Sequence, residues 1–315
     1  MLAPFTARDG ENLALYDWSP ETSRSEKGDE ESVPPRGVVL IVHGLGEHAL
    51  RYNHVAQRLL DWGFMVRGYD QRGHGESTGA RGGLPNDTAL LDDLAEIVDD
   101  TRDRCRHLAA RRGRGAQDAV AQTSLPLILL GHSMGGLVAS RFVAEELRPV
   151  EGLVLSSPAL DASLGPLQRL LLAVLPKFAP NVCVRNGLNA RYISRDAEVV
   201  KSYLADRLVH NRISPRLGKF ISSSGPAMVK AAARWRVPTL LMYAGSDRLV
   251  NPAGSRAFAE NAAKSSAVKA DTVTAKCFDE HYHEIFNEAD AAPVFGLLKT
   301  WLSARFQEKT ACSPN

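Results

Sequence analysis

The chain predicts an α/β fold: a mostly parallel, doubly wound sheet with a helical segment inserted between two of its strands. Short continuous apolar runs recur at Val38 to Val42, Phe64 to Tyr69, Leu125 to Leu130, Gly152 to Leu155, Thr239 to Tyr243 and, more weakly, Val273 to Phe278. Runs of this kind mark strands buried on both faces. Segments of helical length lie between them, at about 51–62, 86–110, 134–147, 253–264 and 290–307, which completes the alternation. The alternation breaks at 158–236, a stretch mostly helical in composition and without a convincing strand. It reads as a cap, so the expected organisation is a core over 1–157, a cap over 158–236 and the rest of the core over 237–315.

The elements can be justified in chain order. Asn12 to Trp18 alternates apolar and polar residues after Asp9-Gly10, as an antiparallel edge strand does after a hairpin turn. Residues 19–36 carry Pro, Gly and mixed charge with almost nothing to bury, and are expected to form a mobile loop. The arginine-rich stretch 102–115 reads as the solvated extension of a surface helix. Within the cap, the leucine-rich run Leu164 to Phe178 is too short to span a bilayer and is expected to pack on the core as a cap helix.

Composition narrows the function classes. The chain has 315 residues, 44% of them hydrophobic and 23% charged, values of an ordinary globular protein with a substantial core. A formal net charge of +2 gives no field that would make nucleic acid a default partner. The four cysteines, Cys105, Cys183, Cys277 and Cys312, show no zinc spacing and read as free thiols. The N-terminus has neither the basic nor the apolar region of a secretory signal. The expectation is a cytoplasmic protein, able to touch a membrane surface without crossing it.

The chemistry is concentrated at strand ends. After the run Leu125 to Leu130 stand Gly131-His132-Ser133-Met134-Gly135-Gly136 and a helix-like segment. This is the G-x-S-x-G pattern of a sharp strand-to-helix turn that exposes a serine nucleophile. A serine hydroxyl needs a base to take its proton and a carboxylate to hold that base. Asp247 follows the strand Thr239 to Tyr243, where open α/β sheets build their sites, with Asp161 as its rival. For the base, His281 and His283 are both placed beyond the strand ending at Phe278. Backbone donors for an oxyanion are expected from Met134, at the start of the helix, and from Leu45 in the glycine-rich turn His43-Gly44-Leu45-Gly46-Glu47-His48.

Taken together, His43 to His48 with Arg51-Tyr52, Asp70-Gln71-Arg72-Gly73-His74-Gly75-Glu76-Ser77, Gly131 to Gly136 and His283-Glu284-Ile285 resemble the monoacylglycerol lipase and lysophospholipase branch of the α/β-hydrolases. The resemblance runs from about residue 5 to 307. It implies an eight-stranded, mostly parallel core, a helical cap, no metal or organic cofactor, and hydrolysis of single-acyl lipid esters. It favours His283 over His281 as the base and assigns the oxyanion amides to Leu45 and Met134. By the same resemblance Glu47 and Arg51 line the polar end of the ester site, and Tyr203 approaches the head group. Asp70, Arg72 and His74 brace a loop. Leu171 and Leu172 fall in the cap run that would line an acyl tunnel. The nearest alternative is a small-ester carboxylesterase, thioesterase or aminopeptidase with the same triad, and a remote one is a catalytically silent binding protein.

Overall fold

The computed structural model describes residues 3–18, 35–111, 125–162 and 165–307. Most of the loop expected at 19–36 and the end of the arginine-rich stretch, from residue 112, lie outside the described residues.

Seven strands form the central sheet, in the spatial order β11 (Val273–Phe278), β10 (Thr239–Ala244), β7 (Gly152–Ser156), β6 (Leu127–His132), β4 (Val38–Val42), β5 (Met65–Tyr69) and β3 (Leu15–Asp17). All neighbours pair in parallel except β3, which runs antiparallel to β5 at the edge. The apolar runs have the meaning their texture suggests. In β4, Val38, Leu40 and Val42 enter one core cluster while Val39 and Ile41 enter the other, so every residue of the strand is buried. The first cluster is closed by α2 (Ala89–Arg111), α3 (Ser133–Ala144) and α7 (Pro252–Lys264), the second by α1 (Asn53–Asp61) and α8 (Ala292–Arg305). This is the two-faced packing that a parallel sheet requires.

The strand count differs by one from the eight that the resemblance implies. The segment 12–17 does not run as one strand. β2 (Asn12–Leu13) pairs with β1 (Phe5–Thr6) in a separate hairpin, and only β3 joins the sheet. At Ala14 the backbone is taken by a loop instead, its N–H donated to Ser77 Oγ at 2.8 Å and its carbonyl accepting from Asp70 N at 2.9 Å.

Between β7 and β10 lie α4 (Pro166–Phe178), α5 (Ala197–Ala205) and α6 (Pro215–Ala231). The cap segment is not free of strands as expected: β8 (Val184–Arg185) and β9 (Arg212–Ile213) form a two-residue antiparallel ribbon. Two residues are too few for a period-2 pattern to stand out in sequence. α4 packs close on α6, where a Cβ at Gly218 would come within 2.9 Å of Leu172 Cδ2. No helix among the described residues is long and apolar enough to cross a membrane.

Candidate active site

Strand pairing sets the layout. β4 and β6 are neighbours, with Val42 opposite Gly131, so the turn after β4 reaches the residue that follows β6. β10 and β11 are also neighbours, with Ala244 opposite Phe278, which brings the loops beyond them together. All four carboxyl ends open on one edge of the sheet, the usual place for a site in open α/β folds.

Ser133 stands at the turn from β6 into α3 with φ at +52°, a left-handed backbone for a residue that is not glycine. Such a conformation costs about 1–3 kcal/mol and persists only where the surroundings impose it. Close packing imposes it here: a Cβ at Gly135 would lie 2.1 Å from the carbonyl oxygen of Val42. A Cβ at Gly44 would lie 3.2 Å from Ser133 Cβ, so the turn after β4 lies against the serine.

His283 Nδ1 donates to Asp247 Oδ2 at 2.6 Å. Asp247 Oδ1 accepts the backbone N–H groups of Leu249 at 2.8 Å and Val250 at 3.0 Å, which fixes the carboxylate. Because the carboxylate only accepts, the proton on His283 is on Nδ1 and Nε2 keeps its lone pair. Burial alone would push the His283 pKa down, but the Asp247 carboxylate, helped by Glu284 and Glu47, holds it above the ordinary 6.5. Burial of Asp247 opposes its charge, yet His283 and the two N–H donors keep its pKa below the usual 3.8.

The two open choices in the sequence separate in space. His281 turns to Asp290 at 3.2 Å and stacks on Phe278, away from the cavity that Ser133 and His283 line. Asp161 accepts from Asn251 Nδ2 at 2.8 Å. The structure thus brings Asp247 and His283 together and leaves Asp161 and His281 elsewhere.

The turn after β4 is held from behind by a buried ionic network. Glu47 Oε1 accepts the N–H of Gly44 at 2.6 Å and the hydroxyl of Tyr52 at 2.8 Å, while Arg51 reaches Glu47 Oε2 at 2.7 Å. Arg51 also grips Glu284 in a bidentate pair at 2.6 and 2.7 Å. Burial works against the Glu47 carboxylate, but the Arg51 cation prevails and lowers its pKa to about 2. The Gly44 N–H is thus engaged by Glu47, and Leu45, the next residue of the turn, lines both cavities that Ser133 lines. Arg51, expected on the wall of the ester site, lines neither cavity there. It lies behind Glu47, over the ring of Tyr203 at 4.7 Å. Glu284 and Tyr52 stand in motifs quoted from the sequence but have no role assigned there. The expected brace is present: Asp70 accepts from Ala49 N, Glu76 N and Tyr16 Oη, each at 2.8 Å, and Arg72 holds Asp93 through two nitrogens.

His132 was also missed. Its ring lies 4.7 Å from that of His283, and burial, reinforced by the charge of His283, drops its pKa to about 4. It therefore stays neutral beside the site, with Nδ1 3.1 Å from Ser156 Oγ.

Two cavities meet at Ser133 and Leu45. One, of about 370 Å³, is mostly apolar and includes Met134, Leu171, Leu172 and Leu175. The other, of about 760 Å³, is mixed in character and includes the polar or ionisable side chains of Glu47, His132, Tyr203, His283 and Glu284.

The family described as serine aminopeptidase, S33, matches residues 33–290. The chain belongs to that family. Within it, the chain is 36% identical over 292 residues to a monoacylglycerol lipase of Mycolicibacterium smegmatis, covering 91% of this chain and 92% of that protein. It is 30% identical over 265 residues to phospholipase YtpA of Bacillus subtilis, covering 83% and 93%. Among solved structures, a monoacylglycerol lipase of Paleococcus ferrophilus superposes with a TM-score of 0.74 at 29% identity, covering 93% of this chain and 99% of that one.

Proposed function

We propose that Ser133, His283 and Asp247 form a catalytic triad that hydrolyses the carboxylic ester of single-acyl lipids, monoacylglycerols or lysophospholipids, through an acyl-enzyme. The observation that carries this reading is the junction at Ser133 of an apolar cavity with a larger one of mixed lining that holds charged and hydroxyl side chains, beside a buried Asp247–His283 pair. A lipase and a phospholipase among the relatives support the same substrate class.

In the first half-reaction His283 Nε2 takes the hydroxyl proton as Ser133 Oγ bonds to the acyl carbon. The N–H groups of Leu45 and Met134 hold the developing oxyanion. The tetrahedral intermediate breaks its C–O bond, and the leaving alkoxide takes the proton from His283. Water then attacks the acyl carbon and gives its proton to His283, and Ser133 Oγ recovers that proton as the fatty acid departs. Asp247 keeps the imidazole oriented and stabilises its charged form. Glu47 and Tyr203 belong to the wall on the leaving-group side, and Arg51 positions Glu47. Leu171 and Leu172 line the acyl side, each buried methylene adding up to about 0.8 kcal/mol of binding. The outer face of the cap, where Phe178 is 81% exposed and Leu170 61%, suits transient contact with a lipid surface.

A fluorophosphonate probe followed by peptide mass spectrometry tests the assignment. Labelling confined to Ser133 and absent in Ser133→Ala is expected. Labelling elsewhere, or unchanged hydrolysis by Ser133→Ala, refutes it.

A further inference from the structure

The larger cavity exceeds what glycerol needs. A cavity of roughly 150 Å³ holds the six carbons of benzene, and glycerol likewise has six heavy atoms, whereas this cavity is about 760 Å³. Its lining acids are already matched. Glu47 and Glu284 are held by Arg51, and Asp206 pairs with His48 at 2.8 Å. The cations from the cap are not. Arg185 and Arg191 line the cavity, Arg185 where it borders the apolar one, and Arg185 stands directly opposite Arg212 in the β8–β9 ribbon, all three being exposed to solvent. Among the described residues no carboxylate pairs with any of these arginines. Directly opposed residues in an antiparallel ladder share a face, and like charges there are unfavourable unless something of opposite sign joins them.

We propose that this wall receives a phosphoryl group, so that Arg185 and Arg191, with Arg212 beside them, select lysophospholipids over neutral monoacylglycerols. The inference rests on the hydrolase reading above and specifies its leaving group. In a lysophospholipid the phosphorus sits at the far end of the glycerol from the scissile ester. With that ester at Ser133 and the acyl chain in the apolar cavity, the phosphoryl group falls in the larger cavity, whose wall carries Arg185 and Arg191. Guanidinium groups meet phosphate oxygens through paired N–H donors. The chemistry at Ser133 is unchanged: the acyl C–O bond breaks and the glycerophosphate alkoxide leaves with the proton from His283.

The test uses 1-hexanoylglycerol and 1-hexanoylglycerol 3-phosphate, which stay monomeric, so that adsorption to a lipid surface plays no part. The wild type is expected to show a kcat/KM ratio favouring the phosphorylated ester by about tenfold or more, and Arg185→Gln/Arg191→Gln to lose most of that preference, the size expected for charge-assisted hydrogen bonds. A wild-type ratio at or below one, or a ratio the double variant leaves unchanged, overturns the proposal. So does an effect of added inorganic phosphate on 1-hexanoylglycerol hydrolysis without preference for the phosphorylated ester, which assigns the arginines to a free anion. Absence of turnover on both esters instead removes the hydrolase reading on which the proposal rests.

Discussion

At the scale of single residues, His283 sets the pH dependence. Only the neutral imidazole can accept the Ser133 proton, so activity is expected to rise with pH, with a midpoint above the ordinary 6.5 because Asp247 raises the His283 pKa. In Asp247→Asn the raising charge is gone and burial remains, so the midpoint is expected to move down while kcat falls by about 10⁴. A pH–rate profile shows both, and an unmoved midpoint contradicts the pairing. Stability follows the same linkage. The raised His283 favours the folded state below its unfolded pKa, and that contribution is lost as pH rises through the folded value. The lowered Asp247 contributes above its unfolded pKa, and its share is lost on acidification. A second comparison separates the histidines: His283→Ala is expected to abolish turnover and His281→Ala to leave most of it, since His281 faces Asp290. The reverse ranking of the two kcat values assigns the base to His281. The elbow serine was legible from its glycines, because only small residues fit where Gly135 meets Val42. The choice between the histidines was not legible from spacing alone, since two residues in one loop differ only in which way they face.

At the scale of elements, the buried strands were the most legible part of the chain. β4 has the limits that its apolar texture suggests, because a strand covered on both faces must be apolar throughout, whereas β11, at the sheet edge with Ala275 and Lys276 exposed, matches a weaker run. The β8–β9 ribbon left no such trace. Glu47 and Arg51 stand four residues apart and pair locally, but Glu284, which holds the other side of the same guanidinium, is 233 residues away in sequence. That distant partner turns a surface-like pair into a buried support for the turn carrying Leu45. Arg51→Met is accordingly expected to strand two buried carboxylates and destabilise the fold by about 3–5 kcal/mol. In the fraction that remains folded, kcat is expected to drop more than KM rises, because the support acts on the oxyanion donor. Chemical denaturation and steady-state kinetics check the two parts. Wild-type stability with wild-type kcat contradicts the network's role.

At the scale of the whole molecule, the sheet positions Ser133, Asp247 and His283, and on the proposed reading the segment between β7 and β10 decides what reaches them. The core loops supply Ser133, Leu45 and His283, whereas Leu171, Leu172, Arg185 and Tyr203 all come from the segment between β7 and β10. The break in the alternation marks that segment in the sequence, but the division into an apolar cavity and a mixed one depends on how its helices and ribbon pack. Changing Leu171 and Leu172 together to serine is expected to erase much of the advantage of long acyl chains and to spare short ones, which do not reach those side chains. Equal losses on butanoyl and dodecanoyl glycerol would mean that the leucines serve folding rather than acyl binding. The most direct test of the lipid ester reading is the kcat/KM of the wild-type protein on monoacylglycerols from acetyl to dodecanoyl, with triacylglycerol alongside. Efficiency is expected to climb with chain length until the apolar cavity is full, and monoacylglycerol to exceed triacylglycerol by a wide margin. Equal efficiency on acetyl and dodecanoyl glycerol would contradict it.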